Sequence, residues 1–296
     1  MAGDMREGRI AELSDRAAIA VTGDDAQTFL QGLLTRDVAG LAPGSAAFAA
    51  LLTPQGKILF DFLVLRTEDG FLLDCRRDVA GDLLKRLTFY KLRAKVTLRD
   101  LSASHKVYAL WGAPGHTGAQ TFPDPRLPAL GWRLIASGDG DAPEGFATSD
   151  LAAYHAHRIA CGVPEGGLDF AFGDAFPHEA DMDQLHGISF DKGCYVGQEV
   201  VSRMQHRGTA RTRIVPVTFD GPAPQPGSSV RAGDKSIGTV GSVSGDTALA
   251  MIRLDRAARA RNSGDTLLCD GTMLQIGKPD WMTIAVPAGD DIEASS

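Results

Sequence analysis

The order of helical and strand-like segments changes near residue 211, and this change constrains the fold more than any other feature of the sequence. Before it, predicted helices alternate with strands that are joined mostly by hairpins. After it, short strand-like segments separated by Gly, Pro or Asp follow one another. The first pattern indicates an α+β unit with antiparallel sheets, and the second a small β barrel. Barrel strands are predicted at 213–219, 228–232, 235–243, 247–254, 266–269 and 273–276.

Periodicity also places the elements of the first part. Apolar residues recur at helical spacing from Asp24 and Asp25, which can cap a helix, to Pro43. Further helices are predicted at 78–92, at 149–161 with Ser149 as its cap, and at 198–206. Strands are predicted at 46–52, 57–66, 71–75, 96–100, 106–110, 131–136 and 186–190, and a surface loop at 112–128.

Size and charge limit the functions that this chain can have. A chain of 296 residues can bury two or three cores. Its net charge of −7 argues against general nucleic-acid binding, which needs a basic face. A basic run at Arg203, His206, Arg207, Arg211 and Arg213 could attract an acidic ligand or simply be a solvated helix end. No apolar stretch is long enough for a membrane helix, and the first residues lack the core of a signal peptide, so a cytoplasmic location is expected.

The segment from Lys192 to Arg203 contains more reactive and charged side chains than folding requires. It places Cys194 on a loop before a predicted helix, with Gly197 as a plausible N-cap. A thiol that faces a helix N-terminus and a lysine is favoured as the thiolate, the form that attacks electrophiles and binds metals. The alternative is a small buried hydrophobic residue, the usual state of a free cysteine.

The four cysteines, Cys75, Cys161, Cys194 and Cys269, show no Cys-x-x-Cys spacing. The sequence therefore encodes neither a zinc knuckle nor a self-contained ferredoxin-type site, and free thiols are expected. His155 and His157 are two residues apart in a predicted helix, point to different sides, and are poor joint metal ligands. An iron–sulfur cluster held through Cys194 would need further ligands from another protein.

The segment resembles the signature of the YgfZ family of folate-binding proteins, which includes mitochondrial iron–sulfur assembly factors and is related to the glycine-cleavage T-protein. The matching residues are Lys192, Gly193, Cys194, Tyr195, Gly197, Gln198, Glu199 and Arg203. The resemblance continues at 23–37, at 54–61, at 90–93 and from Gly162 to Asp183. It implies a T-protein-like (aminomethyltransferase) folate-binding fold with a C-terminal barrel. The expected division is 1–205, made of two interlocked subdomains (about 1–100 and 101–205), then a barrel at 206–286 and a flexible tail at 287–296.

The resemblance also implies a function. The chain is expected to bind tetrahydrofolate and to support assembly or repair of iron–sulfur clusters, especially four-iron clusters, together with a scaffold or carrier protein and client enzymes. No membrane or direct nucleic-acid partner is expected. Cys194 would be the reactive or cluster-facing thiol, Lys192 and Arg203 would tune its pKa, and Gln198 and Glu199 would fix the loop by hydrogen bonds.

Folate contacts are expected from two other stretches. Gln55, Lys57 and Asp61 lie on or beside a hairpin turn, where a carboxylate could meet the donor edge of a pterin. Tyr90 and Arg93 end the second helix, where an arginine could clamp a folate carboxylate. Both stretches also have plain structural interpretations, a good turn and a cation that complements the helix dipole.

Two other functions stay open. The first is a folate-dependent aminomethyl or one-carbon transferase with Asp61 as the key carboxylate. It is less favoured because T-proteins lack the Lys-Gly-Cys signature and this chain lacks much of their acidic pattern. The second is a regulator of transfer-RNA modification, acting indirectly through iron–sulfur enzymes. A classical enzyme is therefore not expected. The acidic cluster from His178 to Asp183 is expected to order a loop.

Overall fold

The computed structural model describes residues 8–113, 120–138, 145–208 and 210–287. The chain forms two compact units, each described here by itself. The first contains Met1–Tyr154 and Leu185–Ser202, and the second contains His155–Gln184 and Arg203–Ser296. No helix among the described residues is long and apolar enough to span a bilayer.

The first unit contains two five-stranded sheets. Its strands are β1 (Gly8–Glu12), β2 (Arg16–Thr22), β3 (Ala46–Leu52), β4 (Ile58–Arg66), β5 (Gly70–Arg76), β6 (Thr97–Asp100), β7 (His105–Trp111), β8 (Thr121–Pro123), β9 (Trp132–Ser137) and β10 (Phe146–Ser149). Its helices are α1 (Ala26–Gln31) and α2 (Ala80–Lys91), and it shares α3 (Leu151–Ala160) and α4 (Gln198–Arg207) with the second unit. One sheet has the order β3-β4-β5-β2-β6 and the other β10-β1-β7-β9-β8. All pairings are antiparallel except that of β1 with β10.

A hydrophobic core of this unit lies between the first sheet and its helices. Alternate residues of the strands, such as Phe62 of β4 and Leu73 of β5, pack with Leu83 and Leu87 of α2. The spacing of four between Leu83 and Leu87 puts both on one helix face, as the sequence pattern predicted.

A network of buried charges lies on the other face of the same sheet. The Arg16 guanidinium donates to the Asp74 carboxylate at 2.6 Å, and Arg133 of β9 approaches the same carboxylate at 4.0 Å. Arg133 also donates to the Tyr154 hydroxyl and to Asp124, which accepts from Arg126. A charge taken out of water is tolerated only when it is paired in this way, so the network fixes how the two sheets meet.

The second unit is built on a closed six-stranded barrel of order β11-β14-β13-β12-β15-β16. The strands are β11 (Thr212–Phe219), β12 (Ser229–Ala232), β13 (Lys235–Ser244), β14 (Thr247–Arg253), β15 (Leu267–Cys269) and β16 (Thr272–Ile276), and α5 (Leu254–Ser263) follows β14. Inward residues such as Val215, Val240 and Ile252 form its core. The predicted barrel is confirmed, while α5 was missed.

Three predictions in the first part are wrong in detail. The first helix ends at Gln31, because Gly32 and the turn after it redirect the chain and the Gln31 side chain accepts from the amides of Val38 and Ala39. The cap of α3 is Asp150, whose carboxylate accepts from the Ala153 amide, while Ser149 ends β10. Residues 186–190 are not a strand.

The remaining differences concern short elements. Strands β1, β2 and β10 were not predicted, and β8 lies inside the predicted loop at 112–128. Residues 114–119 of that loop and the tail from 288 lie outside the described residues. The other predicted helices and strands are confirmed to within about two residues, the usual uncertainty of element ends.

Candidate functional site

The Lys192–Arg203 segment forms a loop followed by the predicted helix. Residues 191–197 contain no helix or strand, and α4 begins at Gln198. The preceding residues are held by Thr35, whose hydroxyl donates to the Gly187 carbonyl at 2.7 Å and whose carbonyl accepts from the Ser189 amide at 2.9 Å. One of these two bonds comes from the Thr35 side chain, so they do not form a ladder of backbone hydrogen bonds. Residues 186–190 are therefore held in place without being a strand.

The Lys192 ammonium anchors the loop from within. Its Nζ donates to the carbonyl oxygens of Gln31, Leu34 and Arg36 at 2.8, 2.7 and 3.0 Å. An ammonium has three donors, so these bonds use all of them. Burial lowers the pKa of Lys192 to about 8, and the Asp37 carboxylate partly offsets this effect. Lys192 thus has a positioning role that the sequence did not predict, and its predicted action on the Cys194 pKa stays a prediction.

Two glycines bring the hairpin turn at 53–57 against the start of α4. Gly197 has φ +82, and a side chain there would lie 2.6 Å from the Thr53 carbonyl oxygen. Gly56 has φ +80, and a side chain there would meet Val200 at 2.9 Å. Glycine is required at both positions by the backbone angle and by the space. The structure therefore brings the turn at 53–57 and the signature segment together, although they are far apart in sequence.

The four cysteines, all within the described ranges, differ sharply in access. Cys194 is exposed, Cys161 is half-buried, and Cys75 and Cys269 are buried. Burial raises the pKa of Cys75 to about 12 and also raises that of Cys269. A thiol must be accessible to bind a metal or react with a partner, so Cys194 is the best placed of the four.

The predicted folate residues fall in two settings. Gln55 is exposed and Lys57 half-buried on the turn beside Gly197, while Asp61 lies on β4 with 7% of its surface exposed. Tyr90 is half-buried at the end of α2, and Arg93 is exposed in the turn after it. Their roles toward folate stay predictions.

The residues of α4 mostly face solvent. Gln198 is half-buried in the first turn, and Glu199 and Arg203 are exposed. Tyr195, just before the helix, is buried, which raises the pKa of its phenol to about 12. Its ring lies 5.3 Å from the Lys192 ammonium, at the distance of a cation–π contact.

The segment from His178 to Asp183 is held by Arg213, a residue predicted in a basic run and at the start of a barrel strand. Arg213 donates to both Asp183 carboxylate oxygens, at 2.5 and 3.0 Å, and to the His178 carbonyl at 2.6 Å. Asp181 is fully buried nearby, and burial raises its pKa well above the ordinary value. This bidentate pair holds the segment in place. The predicted role of the acidic cluster in ordering the loop beneath the signature stays a prediction.

Among the residues that the structure describes, no group of three His, Cys, Asp or Glu side chains could hold a metal ion. His155 accepts from the Arg158 guanidinium at 3.0 Å through Nδ1, and His157 lies 3.9 Å from the Cys161 sulfur.

Family models match both parts of the chain. The "GCVT N-terminal domain" matches residues 5–121, and "CAF17, C-terminal beta-barrel domain" matches residues 211–284. Among solved structures, the glycine cleavage system aminomethyltransferase T from Bartonella henselae aligns with a TM-score of 0.72 over 94% of this chain and 87% of that one, at 17% identity. The fold is therefore an aminomethyltransferase-like α+β fold with a C-terminal barrel, as predicted.

The sequence relatives define the family more narrowly. The human protein "Iron-sulfur cluster assembly factor IBA57, mitochondrial" is 35% identical over 270 residues, which cover 81% of this chain and 76% of the relative. The mouse protein of the same name is 36% identical with the same coverage. A homologue from Mycosarcoma maydis is 36% identical over 71% of this chain, although the match spans only 57% of that longer protein. The chain belongs to the CAF17/IBA57 family of iron–sulfur cluster assembly factors, which is related to GcvT.

Membership in an iron–sulfur assembly family related to the T-protein is confirmed, whereas the narrower YgfZ assignment stays a prediction. The cytoplasmic location expected from the first residues is wrong, because these relatives are named as mitochondrial proteins.

Proposed function

We propose that this protein supports the assembly or repair of iron–sulfur clusters, four-iron clusters in particular, on client enzymes through the Cys194 thiol. The observation that carries the proposal is the exposure of Cys194 on a loop whose neighbours are fixed. Lys192, two residues before it, is bonded to three carbonyl groups, and Gly197, three residues after it, packs on the turn at 53–57.

A fixed loop matters because the thiol must meet a second set of ligands. A cluster iron needs several thiolate or similar ligands, and the described residues gather no such group around Cys194. The partner, a scaffold or carrier protein or the client itself, would supply the others. Holding the loop in one conformation lowers the entropy lost when the shared site forms. The cluster is thus cargo that passes through a shared site, and Cys194 is this chain's contribution to it.

Anaerobic reconstitution with a purified apo iron–sulfur scaffold or carrier protein tests this proposal. With ferrous iron and sulfide present, the wild-type mixture should give a complex of both proteins with visible iron–sulfur absorbance. Cys194→Ser should remove the absorbance of the complex, because a hydroxyl is a poor ligand for cluster iron. The half-buried Cys161 offers a matched control, and Cys161→Ser should behave as the wild type. Equal absorbance with Cys194→Ser would refute the assigned role.

We also propose that tetrahydrofolate binds at the turn that adjoins the cysteine loop. The residues that fit it are Gln55 and Lys57 on the turn and Gln198 and Glu199 at the start of α4. A lysine and two amides suit the carboxylates and the ring edge of folate. Asp61, the half-buried Tyr90 and the exposed Arg93 would complete the contacts. When bound, the folate would bring a one-carbon carrier beside the loop.

Lys57→Ala should weaken binding of 5-formyltetrahydrofolate about tenfold, since one ion pair with a ligand carboxylate contributes roughly that factor. Quenching of intrinsic fluorescence measures the affinity. Lys235→Ala, an exposed lysine of the barrel, is the matched control and should leave the affinity unchanged. Unaltered binding by Lys57→Ala would remove the turn from the folate site while leaving the cysteine proposal intact.

A further inference from the structure

The end of α2 presents two large apolar side chains to water. Phe89 is 70% exposed and Leu92 is 88% exposed, the highest values for large hydrophobic residues in the part of the chain described. The opposite face of α2 supplies Leu83 and Leu87 to the core. Phe89 and Leu92 are therefore not needed to hold the helix in place, and their burial on another molecule would be favourable.

Leu92 is also held in a strained conformation. Its backbone angles are φ 45 and ψ −107, and the Ala94 amide donates to the Lys91 carbonyl at 2.8 Å across it. These angles and this bond match the first central position of a type II′ turn, which normally requires glycine. The other non-glycine residues with positive φ in the described ranges are all polar, namely Gln120, Asp181, His186 and Asp270. Strain that presents a leucine to solvent does not benefit the fold, and such strain is concentrated at functional sites.

The charge around these residues is opposite to that of the whole chain. Residues 83–96 contain five cations and no acid, although the net charge of the protein is −7. The cations are Lys85, Arg86, Lys91, Arg93 and Lys95. Lys85 pairs with Asp82 at 3.0 Å and Lys95 with Asp24 at 3.6 Å, but both pairs are exposed and such pairs are weak. The surface is therefore positive and would attract an acidic partner.

We propose that Arg86, Phe89 and Leu92, named here the α2 tip, form a docking surface for a partner protein with an acidic face and an apolar pocket. Arg86 and Phe89 are three residues apart on the exposed side of the helix, and Leu92 follows one turn later. Aromatic and arginine residues dominate the binding energy of protein interfaces. An aliphatic side chain in a fixed turn fits a pocket, and it has no stacking role toward a nucleic acid.

The surface does not suit a bilayer. A helix that lies in a membrane interface inserts a continuous apolar face, but the apolar face of α2 is already buried in the core. A single aromatic and a single leucine on a cationic background match a protein hot spot better. The choice of an iron–sulfur scaffold or carrier as the partner rests on the proposed function above.

A binding assay with the purified apo scaffold or carrier protein tests the proposal on the full chain. Phe89→Ser should weaken the affinity about 30-fold, the effect of losing a hot-spot side chain. Arg86→Ser should weaken it less and reduce its dependence on salt. Two exposed residues of the other unit are matched controls, and Met273→Ser and Arg259→Ser should bind within about twofold of wild type.

Leu92→Gly separates docking from folding. Glycine relieves the turn strain, so the melting temperature should rise by about 2–4 °C, while the affinity should fall about tenfold. A purely structural role for Leu92 would not give opposite changes. Cys194→Ser should bind the partner normally and lose only the shared cluster, which distinguishes failure of docking from failure of the cysteine proposal.

Three results would overturn the docking proposal. The first is that Phe89→Ser and Leu92→Gly bind the scaffold or carrier as tightly as the wild type does. The second is that the wild type does not bind that protein. The third is binding of anionic phospholipid vesicles or RNA that depends on the same residues, since it would assign the α2 tip to another class of partner.

Discussion

Cells that produce Cys194→Ser in place of the wild-type protein are expected to lose the activity of four-iron client enzymes while keeping normal amounts of the variant. The expected loss is nearly complete, because Cys194 is the exposed cysteine and the other three are buried or half-buried. Cys75 and Cys269 are buried, and burial raises both of their pKa values. The readout is the activity of four-iron enzymes in extracts, normalised to the amounts of their polypeptides.

The variant should fold because the contacts that hold the loop do not use the Cys194 side chain. Lys192 is bonded through its own ammonium to the carbonyls of Gln31, Leu34 and Arg36, and Gly197 packs through its backbone on the turn at 53–57. Substitutions at exposed positions usually change the free energy of unfolding by less than about 0.5 kcal/mol. The melting temperature should therefore equal that of the wild type.

Cys161→Ser is the matched control in the same strain. Cys161 is half-buried, with its sulfur 3.9 Å from His157, and it plays no part in the proposal. Client activity should stay at the wild-type level with this variant. Full client activity with Cys194→Ser, at equal protein level, would show that the exposed thiol is dispensable and that the family function is carried by another part of the chain.

The sequence was sufficient to predict the barrel and the helix that follows the signature. Barrel strands place apolar residues such as Val215 and Val217 at alternate positions facing the core, and Gly, Pro or Asp separates the strands. The same use of apolar spacing predicted a first helix that is too long. Leu33, Leu34 and Val38 are buried and keep helical spacing, but they pack from turns after Gly32. Apolar spacing reports which residues are buried, and it cannot exclude a turn that buries the same residues.

The chemistry of the site could be predicted only in part. The signature identified Cys194 and its helix because those features are local in sequence. The acceptors of Lys192 are backbone carbonyls at Gln31, Leu34 and Arg36, about 160 positions away, and carbonyls leave no trace in the residue types. The pairing of Arg213 with the Asp183 carboxylate and the contact of Gly56 with Val200 were hidden for another reason, because these residues are far apart in sequence. Tertiary contacts to backbone groups become visible only with the fold.

Arg158→Leu is expected to lower the free energy of unfolding of the second unit by about 3–5 kcal/mol, the usual cost of removing one partner of a buried ion pair. Arg158 has no exposed surface and donates to Asp169 at 2.8 Å and to the Ser242 hydroxyl at 2.6 Å. It also lies 3.4 Å from the Glu165 carboxylate. Without the guanidinium, two buried carboxylates would lose their counter-ion. Urea unfolding followed by circular dichroism measures the loss.

A double-mutant cycle shows whether the cost arises from the unpaired charge. Asp169 also accepts from the backbone amides of Glu165 and Ser242, at 2.9 and 2.7 Å, so Asp169→Leu alone should be destabilising as well. The double variant Arg158→Leu/Asp169→Leu should recover part of the loss, because it removes both charges together and leaves an apolar pair. Arg259→Leu, on the exposed side of α5, should change the free energy by less than about 0.5 kcal/mol. A loss below about 1 kcal/mol for Arg158→Leu, or no recovery in the double variant, would contradict the view that this buried pair holds the segment at 155–169 to the barrel strand β13.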